Sequence, residues 1–260
     1  MRRYLGLLSY QGDNYFGYQI QNNQKTIQGV LESSISTVLR SNIKTKGSSR
    51  TDTGVHALCN SFHFDYDGSL PQMFLKRING ILPKDISLLE IREVDMEFHA
   101  RFSATARHYQ YIIYHRATAS ALMRGRATYA ARPLDVNVMN SAAQNLVGEQ
   151  DFSVFRAAGC QSKTPFRCIN MASVSNYNGF IVLDIQANAF LQHMVRNITG
   201  ALLEVGQGER NTDWINELIA SKDRTQAGLT AAPDGLYMVG VEYPPDFSLP
   251  RCYESPMFLK

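Results

Sequence analysis

Residues 46–66 limit most sharply what this chain can fold into. They open as K-G-S-S-R-T-D-T-G-V-H-A-L (46–58), where Gly47, Ser48 and Ser49 and then Thr53-Gly54 mark irregular backbone. They continue as Ser61-Phe62-His63-Phe64-Asp65-Tyr66, whose alternating aromatics predict a half-buried strand. A charged loop is thereby fixed to a sheet, which is where functional side chains tend to be placed. Arg50 and Asp52 stand two apart, so extended backbone points them to the same side. A cation beside a carboxylate keeps it ionised. The same D-T-G also makes a good Asx turn with Arg50 as a surface partner, and on these residues alone both readings stand.

The flanking sequence builds an α+β chain. Residues 4–10 predict a strand, and Thr26 caps a helix whose apolar positions Ile27, Val30, Leu31, Ile35, Val38 and Leu39 recur at helical spacing. Pro71 fits the first turn of a second helix through Met73, Phe74, Arg77 and Ile78, stopped by Asn79-Gly80, and residues 86–94 return as a strand. Residues 1–103 thus form one α/β half. Residues 104–260 form a second, opening on a strand over 108–114 with Tyr109 and Tyr111 on one face. Asp135 caps a helix closed by Gly148, and strands over 169–175 and 180–187 flank Asn176-Tyr177-Asn178-Gly179, a strong hairpin signal. Residues 187–198 lead into a helix whose apolar face runs through Ile198, Leu202 and Val205. Thr212 caps a last long helix through Trp214 and Leu218, and residues 231–239 turn into a final strand.

A length of 260 residues suits one large domain or two modest ones. The formal charge of +3 permits an anionic partner without demanding one, so a nucleic-acid binder would have to gather its cations on one face. The apolar run after Met1-Arg2-Arg3 is broken by Ser9 and Gln11, too short for a secretory h-region of about 7–15 residues. No segment has the apolar length of a membrane span. Cys59, Cys160, Cys168 and Cys252 lack C-x-x-C spacing, which predicts reduced thiols in a cytoplasmic protein without a zinc site. A P-loop and a dinucleotide fingerprint are both missing.

R-T-D-T-G-V-H-A (50–57) resembles the signature R-T-D-x-G-V-H-A of the TruA family of tRNA pseudouridine synthases. Three further strings match that family in order: H-A-R-F-S-A-T-A-R-H-Y-Q-Y (99–111), N-A-F-L-Q-H-M-V-R-N-I (188–198) and A-A-P-D-G-L-Y-M-V (231–239). Residues 11–19 depart from its Y-D-G-x-x-Y-x-G-W-Q, with Gln11 and Tyr18 replacing an Asp and a Trp, while Tyr15, Gly17 and Gln19 are kept. The resemblance implies a mixed, mostly antiparallel central sheet built from two related α/β halves, with helices on one side and a central active-site cleft. It implies Asp52 as catalytic nucleophile, Tyr109 against the target uracil, Arg196 paired with the Asp, and Leu236 lining the uracil pocket. It also implies action on uridines at tRNA positions 38, 39 and 40 by a homodimer.

Converting uridine to pseudouridine breaks the C1′–N1 bond, rotates the uracil and forms a C1′–C5 bond. The product is an isomer, so no redox cofactor, metal or second substrate is required. A carboxylate can attack C1′, add to C6 of the ring, or remove the C2′ proton to give a glycal, and these stay open. Tyr109 can stack on the base and pass a proton through its hydroxyl. The target base must be turned outward, a task for the stacking and phosphate-gripping guanidinium of Arg50. An Arg among the apolar neighbours of Arg196 would be costly to bury without an anionic partner. Arg156, Lys163 and Arg167, interleaved with aromatics, fit either RNA contact or a solvated loop. Two other classes remain: a non-catalytic RNA-binding module, and a nucleoside hydrolase that would release free uracil.

Overall fold

The computed structural model describes residues 1–249 and 252–259, and of Cys252 the backbone alone. In chain order the elements are β1 (Arg2–Tyr10), α1 (Ile27–Leu39), β2 (Thr45–Gly47), β3 (His56–Tyr66), α2 (Phe74–Ile81), β4 (Ile86–Val94), β5 (Ala106–His115) and β6 (Thr128–Ala130). They continue as α3 (Val136–Gln144), β7 (Gly148–Asp151), β8 (Phe166–Tyr177), β9 (Phe180–Ala187), α4 (Met194–Gly206), α5 (Trp214–Ser221), β10 (Leu236–Glu242) and β11 (Cys252–Tyr253). This is the predicted α+β content, in two compact units: residues 1–105 with 238–255, and residues 106–237 with 256–260. Among the described residues, no helix is long and apolar enough to cross a membrane.

The first unit orders its strands β4-β1-β3-β10, with β2 added to β3 and β11 to β10. β1 runs antiparallel to both β3 and β4. Thr26 caps α1 as predicted, its side chain accepting from the Gly29 N–H, and Ile27, Leu31 and Ile35 bury the helix's inner face. β3 is buried on both faces, not one: Phe62 and Phe64 lie on one side, Ser61 and His63 on the other. Its second face is covered by residues distant in sequence. Phe98 and Ala100 join Leu5, Leu7 and Cys59 in a small core, over which Tyr243 and Phe247 pack. Tyr243 donates to the Ala100 carbonyl (2.7 Å) and bonds Ser61 Oγ.

The second unit orders its strands β5-β9-β8-β7, antiparallel throughout, with β6 parallel to β5. The hairpin between β8 and β9 turns at Asn178 (φ 51°) and Gly179 (φ 83°), the two left-handed residues that such a tight turn demands. α3 packs on β8 and on α4, burying Met139, Ala142, Ala143, Ile198 and Leu202.

Several helix limits differ from those predicted. α2 starts after Met73, whose left-handed φ of 60° separates it from Pro71, and it runs through Asn79-Gly80. Asn79 stays helical because its amide pairs with both backbone groups of Leu88 on β4, each at 2.8 Å. α3 ends at Gln144, and Gly148 opens β7 instead of closing the helix. α5 is short, its N-cap position is Asp213 in place of Thr212, and the Trp214 N–H is taken by Asn211 Oδ1. β11 follows β10, so the strand at 236–242 is not the last. Cys160 and Cys168 are free thiols, but Cys59 is disulfide-bonded, against the expectation of reduced cysteines throughout. Spacing along a chain excludes a C-x-x-C motif without saying which thiols fold together.

The second face of β3 should make the first unit acid-sensitive. His63 is buried and its Nδ1 accepts the Ala100 N–H (3.1 Å), a bond that needs the unprotonated nitrogen. Burial, followed by the nearby charges of His99 and Arg3, pushes its pKa down to about 4. The unfolded chain would protonate this ring near pH 6.5, so between there and pH 4 it binds more protons than the folded one. Stability should therefore fall as pH drops through that window, by at most about 3 kcal/mol from this group. Urea unfolding at pH 7 and pH 4.5 checks it: the loss should be smaller in His63→Gln, and an equal loss would clear His63.

Candidate active site

Asp52 sits in the 48–55 loop between β2 and β3, and buried polar groups tie that loop down at each end. Ser48 donates its N–H to the Ser61 carbonyl and its hydroxyl to Asn60 Oδ1, both at 2.8 Å. Asn60 Nδ2 reaches the Ser49 carbonyl and the Tyr10 hydroxyl, which in turn bonds Thr51 Oγ1 at 2.8 Å. The Val55 N–H closes a turn on the Asp52 carbonyl (3.1 Å), with Gly54 at φ 80°. Tyr10, Ser48, Thr51, Val55, Asn60 and Ser61 are buried, whereas Asp52 is half-buried and Arg50 exposed.

The 11–19 segment forms the back wall of this loop. Tyr18 donates its N–H to the Thr51 carbonyl (3.0 Å), and the Gly12 N–H is accepted by His56 Nδ1 (3.2 Å). A Cβ on Gly12 would stand 2.1 Å from the Val55 carbonyl oxygen. One on Gly17, whose φ is +78°, would stand 2.8 Å from the Thr51 oxygen and 3.3 Å from the Asp52 carbonyl carbon. Two glycines thus let one backbone lie directly on another beneath the carboxylate. Sequence reasoning did not single out Gly12, Tyr10, Thr51 or Asn60 for this. A glycine at each end of a short polar string was the available signal. The Arg50 guanidinium lies below its ordinary pKa range, through burial first and then the charge of Arg101.

In the second unit, Arg196 and Tyr111 bond the 231–236 segment, which ends on Leu236, and Tyr109 stands on the same strand as Tyr111. Tyr109 is buried on β5 with its ring edge-to-face against Phe190 (5.1 Å). Arg196, on the third residue of α4, is half-buried, so it does not simply project into solvent. Its Nε donates to the Ala231 carbonyl (2.8 Å), while the Ala231 N–H returns to the Arg196 carbonyl (3.1 Å). Tyr111, two residues along β5 and on the same face as Tyr109, donates to the Ala232 carbonyl (2.7 Å). Burial raises the Tyr111 pKa, and the neighbouring Arg196 charge works the other way. Gly235 lets this segment meet β5, since a Cβ there would stand 2.4 Å from the Ile112 carbonyl oxygen. Leu236 follows, buried. Phe190, Ala231 and Ala232 lie inside the strings at 188–198 and 231–239, but the sequence did not disclose these contacts.

The basic residues near 160 divide. Lys163 is exposed. Arg156 donates to the carbonyls of Cys160 (2.9 Å) and Ser162 (2.8 Å), and buried Arg167 donates to the Thr164 carbonyl (3.0 Å) and to Ser162 Oγ. Both guanidiniums therefore fold the 156–167 loop on itself, a task that the charge pattern alone does not disclose.

Comparison with known proteins bears on the whole chain. Residues 7–103 and 142–244 match a family model described as tRNA pseudouridine synthase. A protein of Hydrogenovibrio crunogenus named tRNA pseudouridine synthase A is 46% identical over 245 residues, 94% of each chain. Its namesake in Aeromonas salmonicida is 46% identical over 260 residues, covering 100% of this chain and 96% of its own. Another in Coxiella burnetii is 44% identical over 255 residues, 97% of each.

Proposed function

We propose, from the premise that this chain belongs to the tRNA pseudouridine synthase family and is an isomerase converting uridine to pseudouridine in tRNA, that its targets are positions 38, 39 and 40 of the anticodon stem-loop. In this reading Asp52 is the nucleophile toward an extruded uridine. Arg50 holds the flipped strand, Tyr109 lies against the uracil, Leu236 lines its pocket, and Arg196 supplies the positive charge that keeps a carboxylate ionised in a dry site. The enzyme works as a homodimer in the cytoplasm and draws on no cofactor, since reactant and product are isomers. Reaching three neighbouring nucleotides with one site calls for recognition of RNA shape and backbone.

The observation that carries this reading is the loop of Asp52, immobilised by buried hydrogen bonds and two close glycine contacts while its carboxylate stays half-exposed. A turn residue of purely structural use would not need such support, whereas a nucleophile must be held within a fraction of an ångström. The test is to incubate the protein with unmodified tRNA transcript and to map pseudouridine by carbodiimide labelling and primer extension. Stops at 38, 39 and 40 are expected. Modification at one position alone would overturn the target assignment, and release of free uracil would identify a hydrolase.

A further inference from the structure

One exposed aromatic in the first unit lacks a part in the chemistry above. Phe102, in the 99–103 turn that leads to β5, is 77% exposed although the chain holds it still. His99 Nδ1 accepts the N–H groups of both Arg101 and Phe102 (3.2 Å each). The Ser103 N–H returns to the His99 carbonyl and Ser103 Oγ accepts the His99 N–H, both at 2.9 Å. The Ala100 N–H is fixed on His63 Nδ1, so the turn is anchored to the interior of β3. Phe102 itself stacks on the His99 ring with centroids 4.3 Å apart, and the Arg101 guanidinium lies 5.7 Å from its centre.

The surroundings are cationic. Arg101 is close enough for its charge to act on Arg50, and His99 senses Arg3, Lys46 and Arg101. Lys46, Arg50 and Arg101 are all exposed. With a net charge of only +3 over the whole chain, a local gathering of like charge around a rigid bare ring points to an anionic partner with flat apolar faces. A nucleotide is such a partner: its base stacks on any aromatic face and its phosphate pairs with guanidinium or ammonium.

We propose that Phe102 is a stacking platform for an unpaired base of the bound tRNA, with Arg101 and Lys46 engaging the adjacent phosphates. This rests on tRNA being the substrate and names a part of the protein that grips it. Because the ring is fixed in advance, stacking orders little of the protein. Phe102 acts in binding and positioning and takes no chemical step.

The chain's one tryptophan, Trp214, is buried, so Phe102→Trp places a second indole at the surface as a reporter. Titrating that variant with unmodified tRNA transcript should quench its emission, and its affinity should match the parent. Phe102→Ala should weaken tRNA binding by about 5- to 150-fold, the range for losing one base–aromatic stack. It should raise KM more than it lowers kcat, with the thermal midpoint unchanged. Unaltered affinity in Phe102→Ala, or a silent indole in Phe102→Trp, overturns the proposal while the parent still forms pseudouridine. A changed mass of Phe102→Ala by light scattering, with tRNA binding intact, makes the ring a protein contact and overturns it too. A parent that neither binds tRNA nor modifies it removes the functional reading first, and this one with it.

Discussion

Asp52→Ala should lose pseudouridine formation by about four orders of magnitude or more, the scale on which removing a nucleophile acts in enzymes. Its affinity for tRNA should hardly change. The 48–55 loop is tied by Ser48, Asn60, Thr51, Tyr10 and backbone groups, so the fold around position 52 does not depend on that side chain for the bonds described above. Removing a negative charge beside Arg50 also relieves repulsion toward phosphate, so binding should tighten if it moves at all. Asp52→Asn separates chemistry from turn geometry, because Asn makes the same Asx turn without a nucleophilic carboxylate. Full activity in Asp52→Asn would return D-T-G to the structural reading. Single-turnover primer-extension mapping with a filter-binding titration measures both quantities on one preparation.

What could be seen in advance was local. The Thr26 cap of α1, the Asn178-Gly179 turn and the limits of β4 and β9 are set by neighbours in sequence, and each is found at its expected place. The family strings likewise marked Asp52, Tyr109 and Arg196 as residues to follow. Features governed by distant partners were hidden. The alternation in β3 reads as a strand with one wet face, yet Phe98, Ala100 and Tyr243 arrive from 35 and more positions away to cover Ser61 and His63. Asn79 ought to stop a helix and instead extends one, because Leu88 presents both of its backbone groups to the amide. The charge pattern at Arg156 and Arg167 fits RNA contact or a solvated loop equally, and it does not show that their guanidiniums bond carbonyls of their own loop. A guanidinium satisfies five donors wherever acceptors are near, and sequence does not show where a loop's carbonyls point.

Gly12→Ala should cost at least about 100-fold in kcat, the scale of a displacement of 1 Å at a reacting group. The added methyl would stand 2.1 Å from the Val55 oxygen and 2.7 Å from its carbonyl carbon, and backbone cannot step aside as a flexible side chain can. Either the 11–19 segment or the 48–55 loop has to move. Both routes strain the same bonds: the Gly12 N–H on His56, the Tyr18 N–H on Thr51, and through Thr51 the Tyr10 hydroxyl. The carboxylate of Asp52 rides on that loop, one turn bond away from Val55. Arg50 shares the displaced loop, but Lys46 and Arg101 lie outside it, so tRNA affinity should fall much less than turnover. Gly17→Ala should act the same way for a second reason, since its φ of +78° disfavours any Cβ even before the contact with Thr51. Gly80→Ala is the fair control, a helical glycine with open space around the position of a Cβ, and should leave kcat untouched. If Gly12→Ala turned over tRNA like the parent, the back wall would be a passive filler and the geometry beneath Asp52 would not be what holds the nucleophile in place.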